Sequence, residues 1–251
     1  MVTLKSPREV DTMARAGSIV FATLDLCRGL VKPGISTEDL DREAEKFIRS
    51  HPGAKPSFKG LYGFPKSLCI SVNEEVVHGI PSPKRILREG NIVSIDCGVC
   101  VEGFHADSAI TVPVGHVPPE TERFLETTRQ ALMAGIEQAR VGNHIGDIGH
   151  AVQTVSEAGG YGVIRELVGH GVGTKMHEDP QVPNHGKPKR GERLLEGMTI
   201  AIEPMITMGD YKTKLLPDKW TVVTADGSLA AHFEHTVAVT RNGPRILTMP
   251  A

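Results

Sequence analysis

The chain has 251 residues, 39% of them hydrophobic and 23% charged, the composition of a soluble globular protein long enough for a substantial core. A formal net charge of −2 offers no polyanion-binding surface, so no nucleic-acid recognition is expected. No apolar run reaches the length of a membrane span and Met1–Pro7 lacks a signal peptide's apolar region. Four cysteines make no disulfide framework in a chain this long, so a cytoplasmic protein without membrane contact is expected.

Ser6-Pro7-Arg8-Glu9 opens a helix, with Ser as N-cap, Pro at the first helical position and Glu placed for a capping box. Val10, Met13, Gly17, Val20, Leu24 and Cys27 then fall on one face at 3–4–3–4 spacing, and Lys32-Pro33-Gly34 ends the pattern. A second helix starts near Ser36 or Thr37, carries Leu40, Ala44, Phe47 and Ile48, and stops at His51-Pro52-Gly53. Ser67 to Val77 reads as one strand running into His78-Gly79-Ile80-Pro81. Pro118 and Pro119 introduce a third helix with Leu125, Leu132, Ile136 and Ala139 on one side, and a fourth runs from about Ile145 to Ala158. From Val163 onward the pattern is strand-like, with loops at Pro180–Gly191 and around Gly209–Lys219.

The stretch Asn91 to Val112 reads as a hairpin of β-branched strands with a tight turn near Val101–Gly103. Each strand holds one acid among apolar neighbours, Asp96 and Asp107. A turn centred between Val101 and Glu102 sets these two opposite each other, on one face of the sheet. Like charges that close repel, so the pair requires protons, cationic side chains or metal ions.

The chain also repeats itself. The turn at Val31-Lys32-Pro33-Gly34 is echoed at Arg140-Val141-Gly142, and Asp39-Leu40 at Asp147-Ile148. Val77-His78-Gly79-Ile80 is echoed by Gly169-His170-Gly171-Val172. The run from Glu89 to Asp96 is echoed by that from Glu196 to Glu203, and His105-Ala106-Asp107 by His232-Phe233-Glu234. Four matches in the same order imply one catalytic domain, 1–251, built from two related halves at about 1–115 and 116–251. An approximate two-fold axis would bring Asp96 and Asp107 against Glu203 and Glu234.

Four carboxylates on an apolar face cannot all stay ionised without cations. With His170 they make five candidate ligands, a set suited to Mn²⁺, Fe²⁺ or Co²⁺, with Zn²⁺ also admissible, and without the thiolates of a structural zinc site. Carboxylates able to bridge favour two ions about 3.5–4 Å apart. An acid in a strand is more often a solvated residue, and the echo of both acids in the second half is what outweighs that reading. Cys97-Gly-Val-Cys100 is a weak metal motif, because the two side chains of a strand at that spacing face opposite sides. His105, His232 and His235 neighbour ligands and are expected to support them.

The order Asp96, Asp107, His170, Glu203, Glu234 resembles the methionine aminopeptidase family of metallopeptidases. So do the strings NEEVVHGIP, SIDCG, GFHADS, GHGVGTKMHEDPQVPN, IEPM and HFEHT. The likeness runs from the first helix to the end with no zinc-finger extension in front, as in the bacterial type I form. It implies an α+β pita-bread fold, a pseudo-two-fold antiparallel sheet with helices on the outer face, and removal of initiator Met from nascent chains. By that resemblance Asp96 chelates one ion, Asp107 and Glu234 bridge both, and His170 and Glu203 serve the other, with Glu203 also general base on a bridging water. His177 would donate a hydrogen bond to the developing oxyanion and His78 would contact the scissile amide. Phe64, Cys69 and Trp220 would line the methionine slot, together with Leu61 and Met176, which stand where the family often has aromatic residues. A closed slot limits the second substrate residue to small side chains. The implied partners are nascent polypeptide N-termini, at the ribosome, met by a monomer. Two other readings share the ligand pattern or the fold: an aminopeptidase P or prolidase relative cutting before proline, and a non-catalytic binding protein of the same fold.

Overall fold

The computed structural model describes residues 2–250. Helix α1, Pro7–Leu30, begins with a capping box in which Ser6 and Glu9 satisfy each other's backbone N–H groups, and its stripe from Val10 to Cys27 is buried. Helix α2, Thr37–Arg49, repeats the device with Ser36 and Asp39. Helices α3, Pro119–Glu137, and α4, Ile145–Ala158, form the second pair. At the start of α4 it is the carboxylate of Asp147 that accepts from His144 N–H, at 2.7 Å.

The central hairpin comprises strands Ile92–Val101 and Phe104–Pro113. Its turn is Glu102-Gly103, both at positive φ (51° and 82°), as the right-handed twist of two-residue hairpins requires. The turn therefore lies one residue later than the sequence suggests, and every partner moves by two. Asp107 faces Gly98 and Asp96 faces Ala109. A shift of two preserves the face, so both acids still share one side of the sheet, diagonally.

Strands Lys55–Pro56 and Leu68–Val72 flank Ile92–Val101 and complete the first sheet. The second sheet runs Gly243–Ile246, His235–Thr240, Thr199–Ile202, Gly169–Gly171, Glu178–Val182. The two meet where Glu234 N donates to Ala109 O at 2.9 Å. Beside it the Thr236 hydroxyl accepts from Asp107 N (2.9 Å) and donates to Asp107 O (2.8 Å).

Three expected boundaries change. Ser67–Val77 is two strands, Leu68–Val72 and Glu75–Val77, in different sheets, because Asn73 turns the chain at φ 60°. The loop expected from Pro180 begins as the strand Glu178–Val182, held by pairing that local composition does not reveal. The loop around Gly209–Lys219 contains Thr213–Leu215, which pairs with Val222–Thr224.

Helices α1 and α2 pack with Ile70, Val93, Ile95 and Val99 in one core. Residues of α3 and α4 pack with Ile200, Ile202, Val237 and Val239 in another. The apolar backs of both sheets are thus covered by helices. The links into the two sheets also match bond for bond. Gly34 N donates to Leu87 O (2.8 Å), Leu87 N to Ile35 O (2.9 Å) and Thr37 N to Arg85 O (2.9 Å). Likewise Gly142 N donates to Leu194 O (3.0 Å), Leu194 N to Asn143 O (2.7 Å) and Ile145 N to Glu192 O (2.9 Å).

Candidate metal centre

Asp96 and Asp107 project from the central hairpin. Glu203 follows the strand Thr199–Ile202, its carbonyl held by Asn184 Nδ2 at 2.9 Å. Glu234 lies between Ala230–His232 and His235–Thr240, fixed through its N–H to Ala109. His170 stands in Gly169–Gly171. These elements converge so that ligand atoms of Asp107, His170 and Glu234 all lie within 4.8 Å of one another. His170 Nε2 is 3.9 Å from Asp107 Oδ2 and 3.6 Å from Glu203 Oε1. Asp96 and Asp107 lie close enough to shift each other's titration.

Burial makes this cluster unstable as bare anions. Asp107 is 3% exposed and Glu234 2%. Burial first, then the neighbouring carboxylates, pushes both well above the usual carboxylate range. Asp96 is pushed up to about 7, chiefly by burial. Asp96 Oδ1, Asp107 Oδ1 and Glu234 Oε1 are all covered from solvent with no hydrogen-bond donor. Three orphaned carboxylate oxygens are what divalent cations satisfy, and the oxygen-rich set with one imidazole fits such ions; Asp107 and Glu234 converge with His170, while Asp96 and Glu203 lie outside that closest group. His170 is oriented to join them as a ligand. Its Nδ1 is 2.8 Å from Gly171 O, so N–H there leaves the Nε2 lone pair facing the acids.

The acids form the floor of a cavity of about 410 Å³. Leu61, Phe64, Cys69, His78, His177 and Trp220 all line it. Met176 does not: it is 2% exposed, in an apolar cluster with Val10, Met13 and Val172 behind the wall. Sequence reasoning missed Phe58, Tyr62 and His232 as lining residues. Tyr62 sits at φ 51° and stacks on His177 with ring centroids 5.8 Å apart. Nothing in its local pattern announces this. His232, expected only to support the neighbouring ligands, lines the cavity itself; its Nε2 is buried without a hydrogen-bond partner, 3.6 Å from Glu203 Oε2.

The other imidazoles differ in setting. His177 packs edge-on against His170, centroids 4.4 Å apart, and burial, then His170, lowers its pKa to about 4. It is neutral at pH 7. His78 is held at φ 60°, a strained position for a non-glycine, and burial lowers its pKa as well. His105 Nδ1 engages Ser57 Oγ (2.8 Å) and His235 Nδ1 engages Thr248 Oγ1 (2.7 Å), both away from the floor. All four cysteines are free. Burial, followed by the nearby acids, raises the Cys69 thiol well above its usual range, which suits a wall and not a nucleophile.

A sequence profile of metallopeptidase family M24 matches residues 11–241. A methionine aminopeptidase of Clostridium perfringens is 55% identical over 249 residues, 99% of either chain. This chain belongs to metallopeptidase family M24, among its methionine aminopeptidases. The solved methionine aminopeptidase of Rickettsia prowazekii matches with TM-score 0.97 at 41% identity, covering 99% of this chain and 100% of that one. The architecture described above is thus the family's α+β pita-bread fold. A prolidase from Pyrococcus horikoshii shares the fold alone, at TM-score 0.78 and 22% identity, with 64% of its chain covered. M24 membership implies divalent metal ions. No helix among the described residues is long and apolar enough to cross a membrane.

Proposed function

We propose that this chain is a methionyl aminopeptidase that hydrolyses the peptide bond after the N-terminal methionine of nascent polypeptides, favouring a small second residue. The observation that carries the reading is an apolar slot, walled by Phe58, Phe64 and Trp220, that opens onto three orphaned carboxylate oxygens. An unbranched thioether suits the slot, and the buried acids fix the reacting bond at its inner end.

Five residues would hold two divalent ions: Asp96 on one, Asp107 and Glu234 shared, His170 and Glu203 on the other, with Mn²⁺, Fe²⁺, Co²⁺ or Zn²⁺ as candidates. Bound there, the ions supply Lewis-acid polarisation of the scissile carbonyl and acidify a water nucleophile. Glu203, whose side chain is 12% exposed against 5% for Asp107, accepts the proton released as water adds to the carbonyl. It then delivers that proton to the departing amine. His177, neutral, donates its N–H to the carbonyl oxygen as charge develops there. His78 faces the same cavity and contacts the scissile amide.

The bond-for-bond match around Leu87 and Leu194 supports a single domain of two related halves, about 1–115 and 116–251. Because one chain supplies every proposed ligand, a monomer suffices for activity. Nascent substrates locate the work in the cytoplasm, at the ribosome.

The test is release of methionine from Met-Ala-Ser by purified protein with Mn²⁺ or Co²⁺. Turnover should be abolished in Glu203→Ala. Full activity in that variant, or cleavage of X-Pro peptides in preference to Met-Ala peptides, would overturn the proposal.

A further inference from the structure

The loop joining two of the cavity imidazoles, from His170 to His177, is anchored from outside the second sheet. Glu178 adjoins His177 and opens the strand Glu178–Val182. Its Oε1 accepts from Lys175 N (3.0 Å) and Thr174 Oγ1 (3.4 Å), closing the loop on itself. Its Oε2 accepts from Lys5 Nζ at 2.6 Å. Lys5 precedes the N-cap of α1 and is distant from Glu178 in sequence (separation 173). The pair is buried, with side chains 3% and 9% exposed.

Lys5 is itself fixed at both ends. Its N–H donates to Gly197 O (2.7 Å) and its Nζ also donates to Thr3 O (3.0 Å). The stem passes over Gly173, where a Cβ would lie 2.4 Å from Lys5 Cε, so only glycine leaves room for it. Gly173 O in turn accepts from His105 N at 2.8 Å, tying the loop to the hairpin that carries Asp107.

A buried ion pair is a costly way to hold a surface loop, because both ions must be desolvated. Its geometry instead suits the placing of a neighbour, since both carboxylate oxygens are used, one on the loop backbone and one on a cation fixed elsewhere. Glu178 opens the strand directly after His177, which lines the cavity, so fixing its carboxylate at both oxygens fixes the backbone from which that imidazole projects. We propose that Lys5 is a positioning residue for His177, acting through Glu178 to hold that imidazole against the cavity. This rests on the role proposed above for His177.

The experiment is a double-mutant cycle on methionine release from Met-Ala-Ser with the Mn²⁺-loaded protein, using Lys5→Met, His177→Ala and the pair. Lys5→Met should lower kcat about tenfold or more with KM nearly unchanged, the scale expected of a misplaced catalytic group. In the His177→Ala background the same change should move kcat less than about twofold. The ring ¹H–¹³C signal of His177 in the Lys5→Met protein should shift or broaden, a readout independent of turnover. If the unpaired Glu178 prevents folding, Lys5→Met/Glu178→Gln replaces the single variant, with the same expectations. Equal losses in both backgrounds, or an unmoved His177 signal, would overturn the positioning role while leaving that of His177 intact. No loss from His177→Ala itself would instead overturn the role of His177, and the inference with it.

Discussion

Gly98 lies directly opposite Asp107 in the central hairpin, and a Cβ on Gly98 would stand 2.9 Å from both the Phe58 ring and Ser57 Cβ. The space over the strand beside the acids is therefore taken by Phe58, which walls the cavity. Gly98→Ala must displace that ring. We expect a loss of about 1–3 kcal/mol, typical of overpacking, and a KM for Met-Ala-Ser that rises by more than kcat falls. A fall in kcat at constant KM would place the damage at the acids and not at the slot.

The protonation of the buried acids gives metal-free protein a distinctive stability profile. Asp96 is raised to about 7, and Asp107 and Glu234 well above their usual range, by burial first. Unfolded, such groups titrate near pH 4. Between about pH 4 and 7 these acids bind more protons in the native than in the unfolded state, which lowers stability as pH rises; His177 and His235, held at about 4, act oppositely up to the ordinary histidine range near pH 6.5, so the fall is unopposed above it. Acids held low, such as Asp226 at about 2 through its bonds to Ser228, titrate below it. Calorimetry should show the metal-free melting temperature declining from about pH 6.5 to pH 8. Saturating Mn²⁺ should remove the decline, because cations replace protons in the site. A metal-free profile that rises over this range would contradict the assignment.

The Thr236 hydroxyl closes both backbone groups of Asp107. Thr236→Val keeps the shape and removes both bonds, leaving buried polar groups unpaired at about 1–3 kcal/mol each. A lowered melting temperature should be accompanied by weaker Mn²⁺ binding in titration calorimetry, since this bond pair aims Asp107, a proposed ligand. Unchanged metal affinity would show that the hairpin alone positions Asp107.

His177→Ala removes the proposed donor to the carbonyl oxygen. Loss of one such donor costs on the order of 10²-fold in kcat, with little change in KM. Steady-state kinetics with Met-Ala-Ser measure both, and a rise in KM with kcat retained would reassign His177 to ground-state binding.

Much of this was legible in the sequence because it depends on local or periodic signals. The capping box of α1, the start of α2 near Ser36, the buried stripe from Val10 to Cys27 and the two acids on one hairpin face follow from spacing alone. The turn position was not legible. Glu102-Gly103 takes two positive φ angles, and only Gly103 signals them locally. Long-range contacts were equally hidden. Tyr62 reaches the cavity through a loop whose path is fixed by packing, and Met176 is buried in an apolar cluster instead of lining it. Lys5 carries no local sign that its partner is Glu178.

The most direct test of metal-dependent cleavage compares wild type with Asp107→Asn as Mn²⁺ is titrated into chelator-stripped protein, following methionine release from Met-Ala-Ser. Asp107 supplies one of the three orphaned oxygens and is a carboxylate assigned to both ions. The wild type should be silent without metal and gain activity as metal is added. Asp107→Asn should remain at least about a hundredfold slower at every metal concentration. Equal turnover by the two proteins, or undiminished release by stripped wild type, would contradict the metal-dependent cleavage proposed for this site.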